Sequence, residues 1–264
     1  MEDVYKKIKR LWNDRSKIYG DKIEGVLPKS FPRNANLYLD KWSFSIISQI
    51  VRDTKGFKIL DLGCGYGRLS EKILKKYSNV RAYGMDITRN YVDIYNRKLS
   101  PRGRAIVGDI RKIPFADKSM DAIFMVATLM YIFDKASQKK VFKEIFRVLK
   151  KNGKFIIIER DVCGYNLITL GGLVGKIRGR SNREISAVGF KPNEITNFVK
   201  ENGGNVERKL AIPFFTLSLP IIFFLNLVSA SLLDSYLRLV SFVDHGLGGL
   251  IFPSIYIAYL GSRK

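Results

Sequence analysis

Short apolar runs alternate with amphipathic segments through the middle of the 264-residue chain. The runs that have the length and composition of buried strands lie at 58–62, 80–85, 105–108, 121–126 and 154–159. Apolar positions at helical spacing predict helices between them, at 68–77, 89–99 and 136–150. This alternation predicts an α/β fold with a mostly parallel sheet and helices on both faces. Ligands of such sheets bind at the carboxyl ends of the strands.

The pattern is different on the amino-terminal side of this alternation. Residues 1–55 are predicted to form a helical lead-in, and residues 56–264 the main domain. Val4–Trp12 is basic and amphipathic, which predicts a helix. Glycine and prolines predict a loop over 21–36, and apolar residues at helical spacing predict a second helix over 37–51.

The carboxyl-terminal third combines further elements with uncharged stretches. A helix is predicted at 191–202, a sixth strand at 205–212 and the last strand at 255–260. Between these elements, two insertions are predicted to cap the domain, at about 162–190 and 213–247.

The longest uncharged run, 210–233, satisfies the usual length and apolarity criterion for a membrane-spanning helix. Pro213 and Pro220 would interrupt its backbone hydrogen bonds, however, and a single crossing would separate the last strand from its sheet. We therefore predict a hydrophobic helical insertion between the sixth and seventh strands. It could be a lid over the site, a hairpin that dips into one leaflet of a membrane, or the core of a cap.

A glycine-rich turn follows the first predicted strand. Lys58–Ser70 has the sequence KILDLGCGYGRLS, in which positions 63, 65 and 67 are glycine. Glycine at alternate positions lets backbone N–H groups approach a ligand and supplies the backbone angles of a tight strand-to-helix turn. The spacing G-x-G-x-G differs from the G-x-G-x-x-G of dinucleotide enzymes. The turn therefore predicts a nucleotide-binding loop of the Rossmann type.

Four motifs in this order resemble those of class I S-adenosylmethionine-dependent methyltransferases. They cover about residues 55–161 and are DLGCGYG, Asp86 after the second strand, Asp109 in GDIRKIPFADKSMDAIF, and the helix-turn-strand ending FKEIFRVLKKNGKFIIIERD. The resemblance, in particular to the small-molecule enzymes of ubiquinone and menaquinone biosynthesis, implies a Rossmann-like, doubly wound sheet of seven strands with an antiparallel last strand. It also implies S-adenosyl-L-methionine as the cofactor.

The resemblance further implies which residues bind the cofactor. Asp86 would accept hydrogen bonds from both ribose hydroxyls. Asp109 would contact the adenine amine, with the amide of Ile110 at the ring nitrogen. The implied cofactor-binding residues are Asp61, Gly63, Cys64, Gly65, Gly67, Asp86, Ile87, Asp109, Ile110 and Ala127. The alternative is a tight turn in another kind of α/β domain, with Asp86 and Asp109 as helix N-caps.

Few residues are candidates for the transfer chemistry. His245 is the only histidine and lies beside Asp244; an imidazole can take a proton near neutrality, although a lone histidine often has a structural role. Tyr131 follows the fourth strand at a position that borders the methyl group in the resembled family, where histidine is more frequent. We predict His245 and Tyr131 as catalytic. In that family the leading segment closes over the cofactor or lines the acceptor site, which makes Tyr19 and Trp12 candidate ligand contacts, and Tyr19 our predicted acceptor contact; ordinary core packing is the alternative for such aromatic residues.

The chain carries 46 lysines and arginines against 24 acidic residues, a formal net charge of +22. Such a charge attracts nucleic acid, acidic membrane surfaces and phosphorylated substrates. Lysines spread over the outer faces of helices are equally typical of a solvated surface. Arg178, Arg180 and Arg183 are clustered beside an uncharged stretch, and we predict that they bind the anionic head of an amphiphilic acceptor.

These features together predict a methyltransferase that acts on a small or amphiphilic acceptor (lipid, quinone or isoprenoid-like) by in-line displacement. The charge favours an RNA methyltransferase as one alternative, but no RNA-binding domain or base-methylation motif is recognisable. A non-catalytic, membrane-associated module that keeps the cofactor pocket is the other. The charged amino terminus predicts a cytoplasmic protein, and the hydrophobic insertion predicts its peripheral association with a membrane. Two cysteines without a Cys/His cluster predict no metal site.

Overall fold

The computed structural model describes residues 2–168, 187–191, 193–247 and 253–264, and within them seven strands form one sheet. The strands are β1 Lys58–Leu62, β2 Arg81–Asp86, β3 Gly103–Val107, β4 Met120–Val126, β5 Leu149–Arg160, β6 Gly204–Ala211 and β7 Tyr256–Arg263. Their order is β3-β2-β1-β4-β5-β7-β6. Strands β1–β5 pair in parallel, whereas β7 is antiparallel to both β5 and β6. The predicted Rossmann-like sheet with an antiparallel last strand is confirmed.

Helices cover both faces of the sheet. In the described part of the chain they are α1 Glu2–Tyr19, α2 Arg33–Ile47, α3 Arg68–Lys76, α4 Arg89–Leu99, α5 Lys135–Val148, α6 Val162–Ile168, α7 Glu194–Glu201, α8 Pro213–Leu217, α9 Leu219–Val228 and α10 Ala230–Leu247. One apolar cluster joins α2, α3, α4 and α8–α10 to the sheet, and a second joins α5 and α7. The central strands β1 and β4 are buried almost throughout, as expected of parallel strands that have helices on both faces of the sheet.

Several predicted boundaries move in the structure. The helix predicted at Val4–Trp12 continues to Tyr19. The loop predicted over 21–36 is wrong in its last part, because α2 begins at Arg33 directly after Pro32. Proline is tolerated at a helix start, since the first N–H groups of a helix have no partner within it.

The predicted hydrophobic insertion consists of the three helices α8–α10. Pro213 is the first residue of α8 and Pro220 the second of α9, so each proline lies in the first turn of a helix instead of interrupting one. The run 210–233 therefore contains two short helices and the start of a third. None of the described helices combines the length and the apolarity that a membrane span needs.

Asp244 of α10 anchors this insertion to the rest of the fold. Its buried carboxylate accepts hydrogen bonds from the Tyr38 hydroxyl at 2.7 Å and from the amides of Phe214 and Phe215 at 2.8 and 3.0 Å. The Tyr38 ring stacks on Phe215, with ring centroids 4.6 Å apart. Burial raises the pKa of Asp244, and these hydrogen bonds oppose the shift. Asp244 thus ties α8 and α10 to α2.

Candidate functional site

A cavity of about 980 Å³ opens at the carboxyl ends of β1, β2 and β4. It lies where ligands bind in parallel α/β sheets. Nine of the ten residues predicted to bind a cofactor line it: Asp61, Gly63, Cys64, Gly65, Asp86, Ile87, Asp109, Ile110 and Ala127. Tyr131 lines it as well. The structure brings these residues together, and their individual roles toward a ligand stay predictions.

The glycines of the loop after β1 meet steric needs. A Cβ atom on Gly63, whose φ is +74°, would lie 2.2 Å from the Thr128 hydroxyl oxygen. Gly67 is not among the lining residues; a Cβ there would lie 2.6 Å from the Tyr95 ring, so its role is close packing against α4. The amides of Gly63 and Cys64 both donate to the Met85 carbonyl. The sequence suggested that amides of this loop point at a ligand, but those of Gly63 and Cys64 are used within the protein. What the glycines provide is room for a ligand to come close to the backbone of the loop.

Asp86 closes this loop from the end of β2. Its two carboxylate oxygens accept hydrogen bonds from the amides of Gly65 and Thr88, each at 2.9 Å. Each oxygen keeps a second lone pair for a ligand in the cavity. Burial raises the pKa of Asp86, and the amide hydrogen bonds oppose the shift. Asp86 thus links the shape of the loop to a hydrogen-bonding site on the cavity floor.

Asp61 is the second carboxyl group of the cavity floor. It is buried at the end of β1 and accepts a hydrogen bond from the Ser70 hydroxyl at 2.8 Å. Burial raises the pKa of Asp61 to about 8, with a smaller contribution from the charge of Asp86. A cationic group bound beside Asp61 would lower that pKa and favour the carboxylate.

Asp109 forms a tight cluster with Arg111 and Tyr5. The Nε and Nη2 atoms of Arg111 donate to its carboxylate at 2.9 and 2.5 Å, and the Tyr5 ring lies 4.8 Å from the guanidinium. Burial alone would raise the pKa of Asp109, but the hydrogen bonds and charge of Arg111 hold it below its ordinary value. Asp109 is therefore a carboxylate that Arg111 holds in place, and Tyr5 of α1 adds a further hydrogen bond to it. The sequence analysis missed both Arg111 and Tyr5.

Helix α1 forms a wall over the cavity. Tyr5, Ile8 and Trp12 line the cavity from one face of this helix, at i, i+3 and i+7 spacing. The Trp12 ring meets Tyr131 edge to face with centroids 5.2 Å apart, and the Arg15 guanidinium lies 4.9 Å from the Trp12 ring. This spacing was the signal in the sequence that marked the inner face of the helix. The leading segment thus borders the cavity through Trp12, not through Tyr19.

Glu159, at the end of β5, supports the opposite wall. Its buried carboxylate accepts hydrogen bonds from the amides of Thr128, Leu129 and Met130 at 2.9, 2.7 and 3.2 Å. These residues lead from β4 into the short 3₁₀ turn that ends at Tyr131. Burial raises the pKa of Glu159 to about 7, and the three amides oppose the shift. The sequence analysis missed Glu159, because only pairing of β4 with β5 brings it to this turn.

The other predicted site residues lie elsewhere. His245 is an exposed residue of α10 and is not among the cavity's lining residues, so the geometry does not support it as a base. Tyr19 is half-buried, its ring 4.8 Å from the Lys29 ammonium, and it does not line the cavity either. Arg178, Arg180 and Arg183 lie outside the described residues. Among the described residues, no group of three or more His, Cys, Asp or Glu side chains could hold a metal ion.

Comparison with known proteins agrees with this geometry. Residues 59–153 match a family model described as a methyltransferase domain. The chain is 29% identical over 182 residues to a demethylmenaquinone methyltransferase of Thermotoga maritima, a match that covers 63% of this chain and 77% of that enzyme. It is 35% identical over 109 residues to a sterol 24-C-methyltransferase of Gibberella zeae, covering 39% of this chain and 28% of the sterol enzyme. The chain thus spans little more than a quarter of the sterol enzyme's length.

A similar solved structure is the geranyl diphosphate C-methyltransferase of Streptomyces coelicolor, determined with Mg²⁺, geranyl diphosphate and S-adenosyl-L-homocysteine. It superposes with a TM-score of 0.64 over 96% of this chain and 98% of that chain, at 15% sequence identity. At that identity the likeness concerns the fold.

Proposed function

We propose that this chain, a class I S-adenosylmethionine-dependent methyltransferase, acts on a small amphiphile of the lipid, quinone or isoprenoid kind. The observation that carries the proposal is the apolar wall of the cavity beyond the cofactor-binding residues. Ile8 and Trp12 of α1 line it together with Tyr131 and Ile132. The volume of about 980 Å³ is at the upper end of ordinary ligand pockets, which is consistent with a cofactor and an acceptor together.

The chain's own residues suit this cofactor. Asp86 keeps acceptor lone pairs for a pair of hydroxyls after its two amide hydrogen bonds. Asp61 is a buried carboxyl group that a ligand's ammonium would convert to the carboxylate. Gly63 has no side chain to keep a ligand away from the backbone of the loop, and a Cβ at this position would collide with Thr128. When bound, S-adenosylmethionine would supply a sulfonium methyl group: a nucleophile of the acceptor bonds to the methyl carbon, the carbon–sulfur bond breaks, and S-adenosylhomocysteine leaves with the electron pair.

In this proposal the protein contributes chiefly orientation and the exclusion of water. The α1 wall, fixed by Tyr5 at one end and by Trp12 at the other, separates the cavity from solvent. Glu159 holds the turn that places Tyr131 opposite Trp12. Tyr131 then borders the acceptor, and its hydroxyl is the group we propose for contact with the acceptor's nucleophilic atom.

The relatives' names support an acceptor with a large apolar part. One is named for demethylmenaquinone and another for a sterol, and both molecules are lipids. Such acceptors reside in membranes, so we propose that the protein works in the cytoplasm at a membrane surface. RNA is the competing acceptor, because the net charge of +22 attracts polyanions.

A methyl-transfer assay tests the proposal directly. Purified protein receives S-adenosylmethionine labelled in the methyl group, together with a short-chain demethylmenaquinone, a sterol, geranyl diphosphate or total RNA. We expect label in a lipid-soluble product from at least one amphiphile, and none in RNA. Asp86→Ala should abolish the transfer, whereas Asp93→Ala, which changes an exposed carboxylate on α4, should leave it intact. Label in RNA alone would overturn the amphiphile proposal.

A further inference from the structure

Exposed apolar side chains are concentrated on one part of the molecule. Of the thirteen large hydrophobic residues that are exposed in the described chain, nine lie between Leu217 and Phe242. Leu227 is 84% exposed, Phe242 79% and Phe224 62%. We call the exposed apolar side chains of α9 and α10 the apolar platform. Contiguous exposed apolar patches of this kind mark surfaces that bind a partner or a membrane.

The platform is a second apolar face on helices that already pack against the core. In α10, Leu233, Leu237 and Val240 are buried, whereas Leu232 and Phe242 are exposed on another side of the same helix. In α9 only Leu219 and Ile222 are buried. The other eight residues of α9 include no charged side chain and one amide, Asn226. A surface helix of a water-soluble protein would carry charged or polar residues on its outer face.

The dimensions of α9 indicate a helix that lies on a bilayer. Its ten residues span about 15 Å, half of the roughly 30 Å hydrocarbon thickness of a membrane. Pro220 lies in the first turn of the helix, and Asp244 fixes the following helix to α2 through Tyr38. The pair α9–α10 therefore stays attached to the fold while its outer side chains remain available for the interface between head groups and acyl chains.

Basic residues border the platform. Phe31, in the loop before α2, meets Phe223 of α9 edge to face with centroids 6.1 Å apart. This contact places the loop that carries Lys29 beside the platform, with the Lys29 ammonium 4.8 Å from the Tyr19 ring. Lys41 on α2 and Arg238 on α10 are exposed. The platform helix α10 also carries an acidic residue, Asp234, whose carboxylate accepts a hydrogen bond from Asn34 of α2 at 2.7 Å.

We propose that the apolar platform, with Arg238 of α10 and the basic residues of the adjoining loop and α2 around it, docks on an anionic lipid bilayer. Apolar side chains enter the interfacial region and the lysines and arginine contact anionic head groups. The charges select this occupant: a second copy of a chain with net charge +22 would bring like charges together at the border. The docking goes beyond methyl transfer, because it concerns how the protein is held and its test needs no acceptor.

Vesicle flotation of the 264-residue chain tests the proposal. We expect binding to vesicles of phosphatidylcholine mixed with phosphatidylglycerol, and markedly weaker binding to phosphatidylcholine alone. The double variant Phe224→Ser/Leu227→Ser should lose at least about tenfold in affinity. Ile18→Ser is the matched control, since Ile18 is 68% exposed on α1 outside the platform, and it should bind as the unaltered protein does. Thermal unfolding and S-adenosylmethionine binding should be unchanged in both variants.

A second pair of variants separates the charge from the apolar surface. Arg238→Ser should weaken binding to the anionic vesicles only, whereas Lys151→Ser, at an exposed lysine of β5, should not. Failure of the unaltered protein to float with anionic vesicles would overturn the proposal. Equal binding by the double variant would overturn it too. The platform would be a self-association surface instead if the unaltered protein formed a dimer and did not bind vesicles, and if the double variant were monomeric.

Discussion

Gly63 is the residue of the glycine loop with the tightest steric limit. Gly63→Ala would place a Cβ 2.2 Å from the Thr128 hydroxyl oxygen at a φ of +74°. Thr128 belongs to the turn that Glu159 holds, so the collision must displace either the loop or the turn. We expect a loss of stability of about 1–3 kcal/mol and at least about tenfold weaker S-adenosylmethionine binding. Thermal unfolding and calorimetric titration measure the two effects.

Gly56 supplies the control for Gly63. Its φ is +83°, but a Cβ there would meet nothing within 4 Å. Gly56→Ala should therefore show only the cost of left-handed backbone, about 1–2 kcal/mol, with unchanged cofactor affinity. If both variants bound the cofactor equally well, the collision with Thr128 would have no role in shaping the site.

Glu159 is the residue on which the position of Tyr131 depends. Gln has one acceptor oxygen, so Glu159→Gln leaves at least one of the three backbone amides without its partner. We expect a loss of about 1–3 kcal/mol in stability and a lower kcat, because the turn that carries Tyr131 loosens. Glu207→Gln removes a carboxylate from an exposed pair with Lys154 and should cost about 0–1 kcal/mol without affecting kcat. A Glu159→Gln enzyme with normal kcat would contradict this positioning role.

Among the elements, helix α1 should act as a wall whose contacts set how fast the cofactor leaves. Trp12→Ala removes the edge-to-face contact with Tyr131 and the stacking of Arg15. Aromatic and cation–π contacts of this kind contribute about 0.5–1.5 kcal/mol each. We expect the dissociation of S-adenosylmethionine to accelerate about tenfold, measured by displacement with unlabelled ligand. Lys17→Ala, an exposed position of the same helix, should leave this rate unchanged.

The elements between β1 and β5 could be predicted because local pattern and topology agree there. Apolar runs flanked by a glycine turn mark β1, and the helix predicted at 89–99 is α4 to the residue. The carboxyl edge of a parallel sheet then brings Asp86 and Asp109 to one cavity. Between β1 and β5, the sequence pattern is therefore enough to predict both the helices and strands and the sheet edge at which the binding residues meet.

The partners across the cavity could not be predicted, because they depend on tertiary packing. Tyr5 contacts Asp109 although the two residues are 104 positions apart in the sequence. Glu159 contacts Thr128 only because β4 and β5 pair. His245 looked like a base in the sequence because of Asp244 beside it. In the fold Asp244 serves Tyr38, Phe214 and Phe215 instead. Neighbours in sequence on a helix point in different directions, so the adjacency of Asp244 and His245 carried little information.

At the scale of the whole molecule, buried carboxyl groups dominate the titration near neutrality. The chain has one histidine, so few other groups change charge between pH 5 and pH 8. Burial raises the pKa of Asp61 to about 8 and that of Glu159 to about 7. It also raises the pKa values of Asp86 and Asp244. All of these shifts favour the neutral acid in the folded state.

The stability of the cofactor-free protein should therefore fall as the pH rises from about 5 to 8.5. In this window the folded chain keeps protons on Asp61 and Glu159 that the unfolded chain releases near pH 4, so each unit of pH favours unfolding. Thermal unfolding at constant ionic strength should show a lower Tm at pH 8.5 than at pH 5.5. Asp61→Asn imitates the neutral acid and keeps an acceptor for Ser70, so its Tm should fall less over the same range. Equal slopes for the two proteins would show that Asp61 is ionised in the folded state.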